Sequence, residues 1–203
     1  MYKKSGTLFV ISGPSGVGKS TLCSKVLEVT DNIVYSISCT TRPSRQGEVN
    51  GKEYFFVSET EFEQKVRKSD FIEWARVHEH YYGTPKKFII DTIKSGTDVI
   101  LDIDVQGGMA ISRNFSNSVL IFVLPPSLST LRKRLKARKQ DSENIIRKRV
   151  NKAKWEFKFV RKYGYAVEND ELEDAVKEIG SIISAERLKV QRQVEIIKKL
   201  IGK

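Results

Sequence analysis

The stretch Thr7-Leu-Phe-Val-Ile-Ser12-Gly13-Pro-Ser-Gly-Val-Gly18-Lys19-Ser20 runs from a short apolar segment into a glycine-rich turn and ends on a lysine and a hydroxyl. The apolar run, bounded by Gly6 and Gly13, predicts a buried strand. The turn matches the phosphate-binding pattern G-x-x-x-x-G-K-[ST]. Glycines let backbone N–H groups converge on phosphate oxygens at the start of a helix. Gly13, Pro14, Ser15, Gly16, Val17, Gly18, Lys19, Ser20 and Thr21 are therefore candidates for holding a nucleoside triphosphate. Lys19 would bring a mobile positive charge to the β- and γ-phosphates, and the Ser20 hydroxyl would hold Mg²⁺.

Outward from this turn, short apolar runs alternate with helical patterns. A helix is expected through about Val29, then strands at Ile33 to Ser38, Tyr54 to Val57 and Phe71 to Val77. Ser58-x-x-Glu61 is a capping box that opens a helix to about Lys68. Thr84-Pro85 predicts an N-cap followed by proline in a first helical turn, with Gly96 ending that helix. Asp98 to Ile103 and Val119 to Leu124 are core strands, and Ser127 caps a basic helix. A further helix runs from Asp141 to about Lys162, a last strand from Gly164 to Glu168, and a helical tail from Glu171. The tail's apolar spacing at Ile182, Ile183, Leu188, Val194, Ile197 and Leu200 suits packing, or a contact in a homo-oligomer.

This order predicts an α/β fold: a parallel five-stranded core sheet flanked by helices, with an inserted lobe where the alternation breaks, and a helical lid. The expected division is 1–37, 84–130 and 163–203 for the core, 38–83 for the lobe, and 131–162 for the lid with its connecting helix. At 203 residues, 39% of them hydrophobic, the chain can bury one sizeable core. Cys23 and Cys39 have no disulfide framework or zinc-ligand spacing, and free thiols are expected. The apolar run after Met1 is too short for a signal or membrane-spanning segment, so a cytoplasmic location is expected.

Val99-Ile-Leu-Asp102 is an apolar strand ending in a carboxylate that suits a Mg²⁺-linked water shell beside the phosphate turn. Asp104, two residues on, would point to the same side of an extended segment. One of the two would face the metal and the other the acceptor. Arg42 and Arg45, on a loop with Tyr54 nearby, have the donor geometry for a second phosphate.

The chain resembles guanylate kinases. The resemblance is carried by Ser38-Cys-Thr-Thr-Arg42-Pro-x-Arg45-x-Gly47-Glu48-x-Asn50-Gly51-x-x-Tyr54, by Phe71-Ile-Glu73-Trp-Ala75 and by Tyr81-Tyr82-Gly83-Thr84. It continues through Leu101-Asp-Ile-Asp104-Val-Gln106-Gly107, Pro125-Pro-Ser127, Lys148-Arg149 and Glu168-Asn169-Asp170. It implies transfer of the γ-phosphoryl group of ATP to GMP, with Mg²⁺, and dGMP as a further acceptor. Arg42, Arg45, Tyr54 and Tyr82 would hold the GMP phosphate. Glu73, assisted by Asp102 or Asp104, would accept from guanine N1–H and the amino group, and Ser38 and Thr84 would donate to O6. Arg134, Arg138 and Arg149 would belong to the lid over ATP, with Asn169 and Asp170 beside the adenine. Lys19, Arg45, Arg138 and Arg149 would then supply the charge for transfer.

The alternatives are less well served by these residues. A non-catalytic guanylate-kinase-like interaction module would typically carry a degraded phosphate turn, and here Gly18, Lys19 and Ser20 are intact. A GTPase switch would need Asn-Lys-x-Asp, whereas Asn151-Lys152-Ala153-Lys154 lacks the aspartate. The net charge of +11 suits polyanions, but no specific nucleic-acid reader motif is present and no membrane partner is expected. His78 and His80 are read as lobe residues rather than catalysts, and Trp74 and Trp155 as packing residues.

Overall fold

Strand β1 (Leu8–Ser12) is buried along its whole length and forms the centre of a five-stranded sheet. The computed structural model describes residues 5–77, 79–138 and 141–202, without the side chains of 194–196. His78, Lys139 of the expected lid and the Val194 side chain lie outside the described residues.

β1 is followed by α1 (Lys19–Val29) and β2 (Ile33–Tyr35). Then come β3 (Cys39–Thr40), β4 (Phe55–Phe56), α2 (Glu59–Arg67), β5 (Phe71–Val77) and β6 (His80–Pro85). The chain continues through α3 (Lys86–Lys94), β7 (Asp98–Ile103), α4 (Val105–Asn114) and β8 (Val119–Leu124). It closes with α5 (Leu128–Ala137), α6 (Glu143–Glu156), β9 (Tyr165–Glu168), α7 (Leu172–Leu188) and α8 (Val194–Ile201).

The first sheet has the order β2-β7-β1-β8-β9 and every pairing in it is parallel. Alternation along the strands splits its core in two. Phe9, Ile11, Ile100, Ile121 and Val123 face α1, α5, α6 and α7, meeting Leu22, Val26, Leu131, Ile146, Ile179 and Ile183. Leu8, Val10, Val99 and Leu101 face α3 and α4, meeting Ile89, Ile93 and Ile111. Because β1 lies between β7 and β8, its carboxyl end opens into the crevice where ligands of open α/β sheets bind. The second sheet, order β4-β3-β6-β5, is mixed, and β5 and β6 pair antiparallel around a buried aromatic stack of Phe62 on Phe71.

Several local expectations are corrected. The strand expected over Ile33 to Ser38 stops at Tyr35, and the chain leaves to start the second sheet at Cys39. Thr84 does not cap α3. It lies inside β6, where its hydroxyl is taken by Glu73, and the cap position falls to Pro85. The helix expected from Asp141 to Lys162 is α6 followed by a 3₁₀ segment at Phe157–Lys162. The Ser58–Glu61 capping box closes as expected. Trp74 and Trp155 do pack, by edge contacts to Phe62 and Tyr81 and to Phe159, but at the surface, where they are 48% and 42% exposed. The tail packs through α7, whose Ile183 is buried, whereas Leu188 and Leu200 are exposed at 73% and 80%. Cys23 and Cys39 are buried free thiols, and burial raises both.

Candidate active site

The glycine turn leaves β1 at Ser12 and enters α1 at Lys19. Gly18 occupies the N-cap of α1 at φ 101°, a conformation that disfavours any residue with a Cβ. The space agrees, since a Cβ there would lie 2.5 Å from Asn169 Nδ2. Asn169 in turn donates to the Val17 carbonyl at 2.8 Å, so the end of β9 braces the turn. On its other side, Ser12 Oγ accepts from Tyr163 at 2.9 Å. Lys19 Nζ donates to the Gly13 and Pro14 carbonyls at 2.8 and 3.2 Å. Burial lowers its pKa, opposed by the charges of Asp102, Glu156 and Asp104, and Arg138 lowers it further. Ser20 and Thr21 are exposed on the first turn of α1.

Asp102 lies on β7 with the parity of Ile100, on the α1 side of the sheet. Its Oδ1 accepts a short hydrogen bond from the Tyr35 hydroxyl. Burial first, and then the Asp102 charge, push the Tyr35 hydroxyl well above its ordinary value. Asp104 keeps the expected extended backbone, at φ -73° and ψ 173°, just past the end of the strand. β7 ends at Ile103, and Asp104 Oδ1 caps α4 by accepting from Gly107 N at 2.9 Å. Its Oδ2 is buried without a hydrogen bond, and Lys152 of α6 approaches it to 3.6 Å. Lys152 also lies 3.8 Å from Glu156, whose pKa is raised by burial despite that lysine.

In the second sheet Arg42 Nη2 donates to both Glu48 carboxylate oxygens at 2.8 and 2.9 Å, and the guanidinium lies over the rings of Tyr54 and Phe56. Burial alone would lower its pKa, but the Glu48 hydrogen bonds and charge raise it. Glu48 also accepts from Arg45 N at 2.7 Å, which shapes the loop, while the Arg45 side chain is exposed. Tyr54 meets Tyr82 edge-on with centroids 6.0 Å apart. Burial, then the Asp102 charge, push Tyr54 up to about 12. Ser38 is half-buried, and its carbonyl accepts from Phe55 N.

Glu73 is a buried carboxyl, 7% exposed, on β5. The Thr84 hydroxyl on β6 donates to its Oε1 at 2.6 Å. Burial raises it to about 7, the Thr84 bond pulls the other way, and the Asp104 charge adds to the rise. Gly107 on α4 allows this closeness, since a Cβ there would lie 3.1 Å from Glu73 Oε2. The Glu73 and Asp104 carboxyls thus both lie at the start of α4.

The arginines expected in a lid are spread. Arg149 Nη1 donates to Ser15 Oγ at 3.1 Å and its Nη2 pairs with Asp141 at 3.1 Å. Arg134 donates to the Asn169 and Asp170 carbonyls at 2.8 and 3.3 Å, tying α5 to the end of β9. Arg138 is exposed at the C-cap of α5. Sequence reading missed Tyr35, Glu48, Lys152 and Glu156 as partners of site residues. Only Glu48 carried a signal, three residues from Arg45 within a loop already rich in phosphate-binding types.

The guanylate kinase family model matches residues 5–186. A guanylate kinase of Caldanaerobacter subterraneus subsp. tengcongensis is 47% identical over 198 residues, covering 98% of this chain and 96% of its own. That of Thermotoga maritima is 47% identical over 194 residues, covering 96% and 94%. The crystal structure of guanylate kinase from Anaplasma phagocytophilum is similar with a TM-score of 0.82 at 33% identity, over 98% of this chain and 96% of that one. Similarity this high along both chains, across the phosphate turn and the second sheet alike, goes well beyond a shared α/β layout: the chain belongs to the guanylate kinase family.

Proposed function

We propose that this chain transfers the γ-phosphoryl group of ATP to GMP in the crevice between its two sheets, giving ADP and GDP. The observation that carries the reading of the acceptor is the buried Glu73–Thr84 pair beside Gly107. A carboxylate accepts from guanine N1–H and the amino group, and the Thr84 hydroxyl, by turning its single proton from Glu73, can donate to O6. Adenine has no donor at N1 and would leave the buried carboxylate unpaired. Ser38 and Asp104 complete the base side. Arg42, Arg45, Tyr54 and Tyr82 take the GMP phosphate. These contacts address base and phosphate only, so dGMP is an acceptor as well.

On the donor side, the turn from Gly13 to Thr21 holds the ATP phosphates, with Lys19 at their centre. Arg134, Asn169 and Asp170 flank the adenine, and Arg138 and Arg149 close over the transferring group. Ser20, on the first turn of α1, and Asp102, on the side of β7 that faces α1, present hard oxygen donors. Mg²⁺ takes such a pair together with water and phosphate oxygens. The donor set therefore fits the ion, which when bound neutralises phosphate charge. No general base is required, because a phosphate monoester with a second pKa of about 6 is already largely dianionic at neutral pH. Catalysis rests on alignment and on positive charge in a closed site. For this closure we assign residues 38–83 to a GMP lobe and 131–162 to a lid, on a core of 1–37, 84–130 and 163–203. No helix among the described residues is long and apolar enough to cross a membrane, and we place the enzyme in the cytoplasm, with no specific nucleic-acid partner.

The pH dependence of kcat/KM for GMP tests the base side. With Glu73 at about 7, the ionised, guanine-binding form rises about tenfold in population between pH 6 and 8. Titration of the GMP phosphate contributes about twofold over the same range. Wild type is expected to gain about 20-fold in kcat/KM and Glu73→Gln about twofold. Equal profiles would remove Glu73 from the acceptor site. On the lid side, Arg138→Ala is expected to lower kcat about 10²-fold with KM for ATP changed less than about threefold, measured by steady-state kinetics.

A further inference from the structure

Asp102 and Lys19 attract each other, as the electrostatic influence of Asp102 on the ammonium shows. A direct ion pair between them would withdraw both from phosphate binding. The structure avoids it. Lys19 Nζ bonds the Gly13 and Pro14 carbonyls instead. Among the described residues, the one side chain hydrogen-bonded to Asp102 is Tyr35, through its hydroxyl. Tyr35 is the last residue of β2, paired in register with Ile100 two residues before Asp102. Its ring packs against the core cluster beneath α1. A ring held by the core and ending in a hydroxyl gives Asp102 a fixed donor on the side of the strand where the chain departs for the second sheet.

We propose that Tyr35 is a positioning residue of the reaction: by donating to Asp102 Oδ1 it keeps this carboxylate from collapsing onto Lys19 and presents Oδ2 to the magnesium side of ATP. The inference rests on the placement of Asp102 at that side, proposed above. Tyr35→Phe keeps the ring and its packing and removes only the donor. Its Mg²⁺-dependent ATP affinity, measured by calorimetry without GMP, is expected to weaken about tenfold. The KM for GMP should stay within about twofold and the unfolding temperature within about two degrees, a combination that a merely structural role would not give.

A double-mutant cycle with Asp102→Asn decides the route of the effect. If Tyr35 acts through Asp102, Tyr35→Phe adds nothing in the Asp102→Asn background. Effects that multiply would overturn the proposal, as would a Tyr35→Phe variant with wild-type Mg²⁺ dependence. If Asp102→Asn alone leaves that dependence untouched, the placement of Asp102 falls and the role of Tyr35 with it. If Asp102→Asn weakens binding and Tyr35→Phe does not, only the role of Tyr35 is lost.

Discussion

Lys19→Ala is expected to lower kcat on the order of 10²- to 10³-fold while the KM for GMP moves less than about threefold. The size follows from removing one preorganised charged donor aimed at phosphate oxygens on which charge shifts during transfer. The split between kcat and KM follows from location, because Lys19 sits in the glycine turn and Glu73 in the second sheet. The variant should remain folded. Burial disfavours the Lys19 charge, so truncation removes a group the native state holds at a cost, and the braces from Asn169 and Tyr163 stay in place. Thermal unfolding within a few degrees of wild type, with turnover nearly abolished, is the expected pair of results. Normal turnover would remove Lys19 from the reaction.

Glu73→Gln should change selectivity and stability in opposite directions. A carboxylate accepts two hydrogen bonds from guanine. An amide accepts one and turns its own donor toward the other guanine donor, leaving that contact unmade. The kcat/KM ratio of GMP to AMP is therefore expected to fall on the order of 10²- to 10³-fold. For stability, the Glu73 carboxyl is raised from 4.5 to about 7 in the folded chain. A group raised in this way contributes stability that is complete below about 4.5 and is lost as pH rises through about 7. At pH 8 the buried carboxylate thus costs up to about 3 kcal/mol relative to its protonated form. Glutamine keeps an acceptor for the Thr84 hydroxyl without the charge. The variant should unfold about 5 °C or more above wild type at pH 8, with the gap closing toward pH 4.5. A less stable variant at pH 8, or unchanged selectivity, would contradict this account of Glu73.

The phosphate turn was legible because each position in it answers a local demand: small residues for backbone approach, a lysine, and a hydroxyl. The same holds for the Ser58–Glu61 capping box, which closes within four residues. Among the elements that escaped are α4 and β6. In α4, the sequence Val105-Gln-Gly-Gly-Met breaks any apolar period, and the helix exists because Asp104 caps it and Gly107 admits the Glu73 carboxyl. In β6, Thr84-Pro85 imitates a helix start, whereas pairing with β5 and the bond to Glu73 make it a strand. Both depend on partners distant in sequence, which local propensity does not encode. The site followed the same division. Residue types such as Arg42, Arg45 and Tyr54 suggested the phosphate grip proposed above. The groups that orient site residues, Tyr35 on Asp102 and Lys152 near Asp104, come together only when strands and helices far apart in the chain are packed.

The most direct test offers the purified enzyme ATP and magnesium with GMP, dGMP, AMP or UMP in turn, and follows ADP and the nucleoside diphosphate formed. The account predicts conversion of GMP to GDP, use of dGMP, and kcat/KM for AMP and UMP lower by about 10³-fold or more. GMP left unconverted, or AMP or UMP taken in preference to it, would contradict the account.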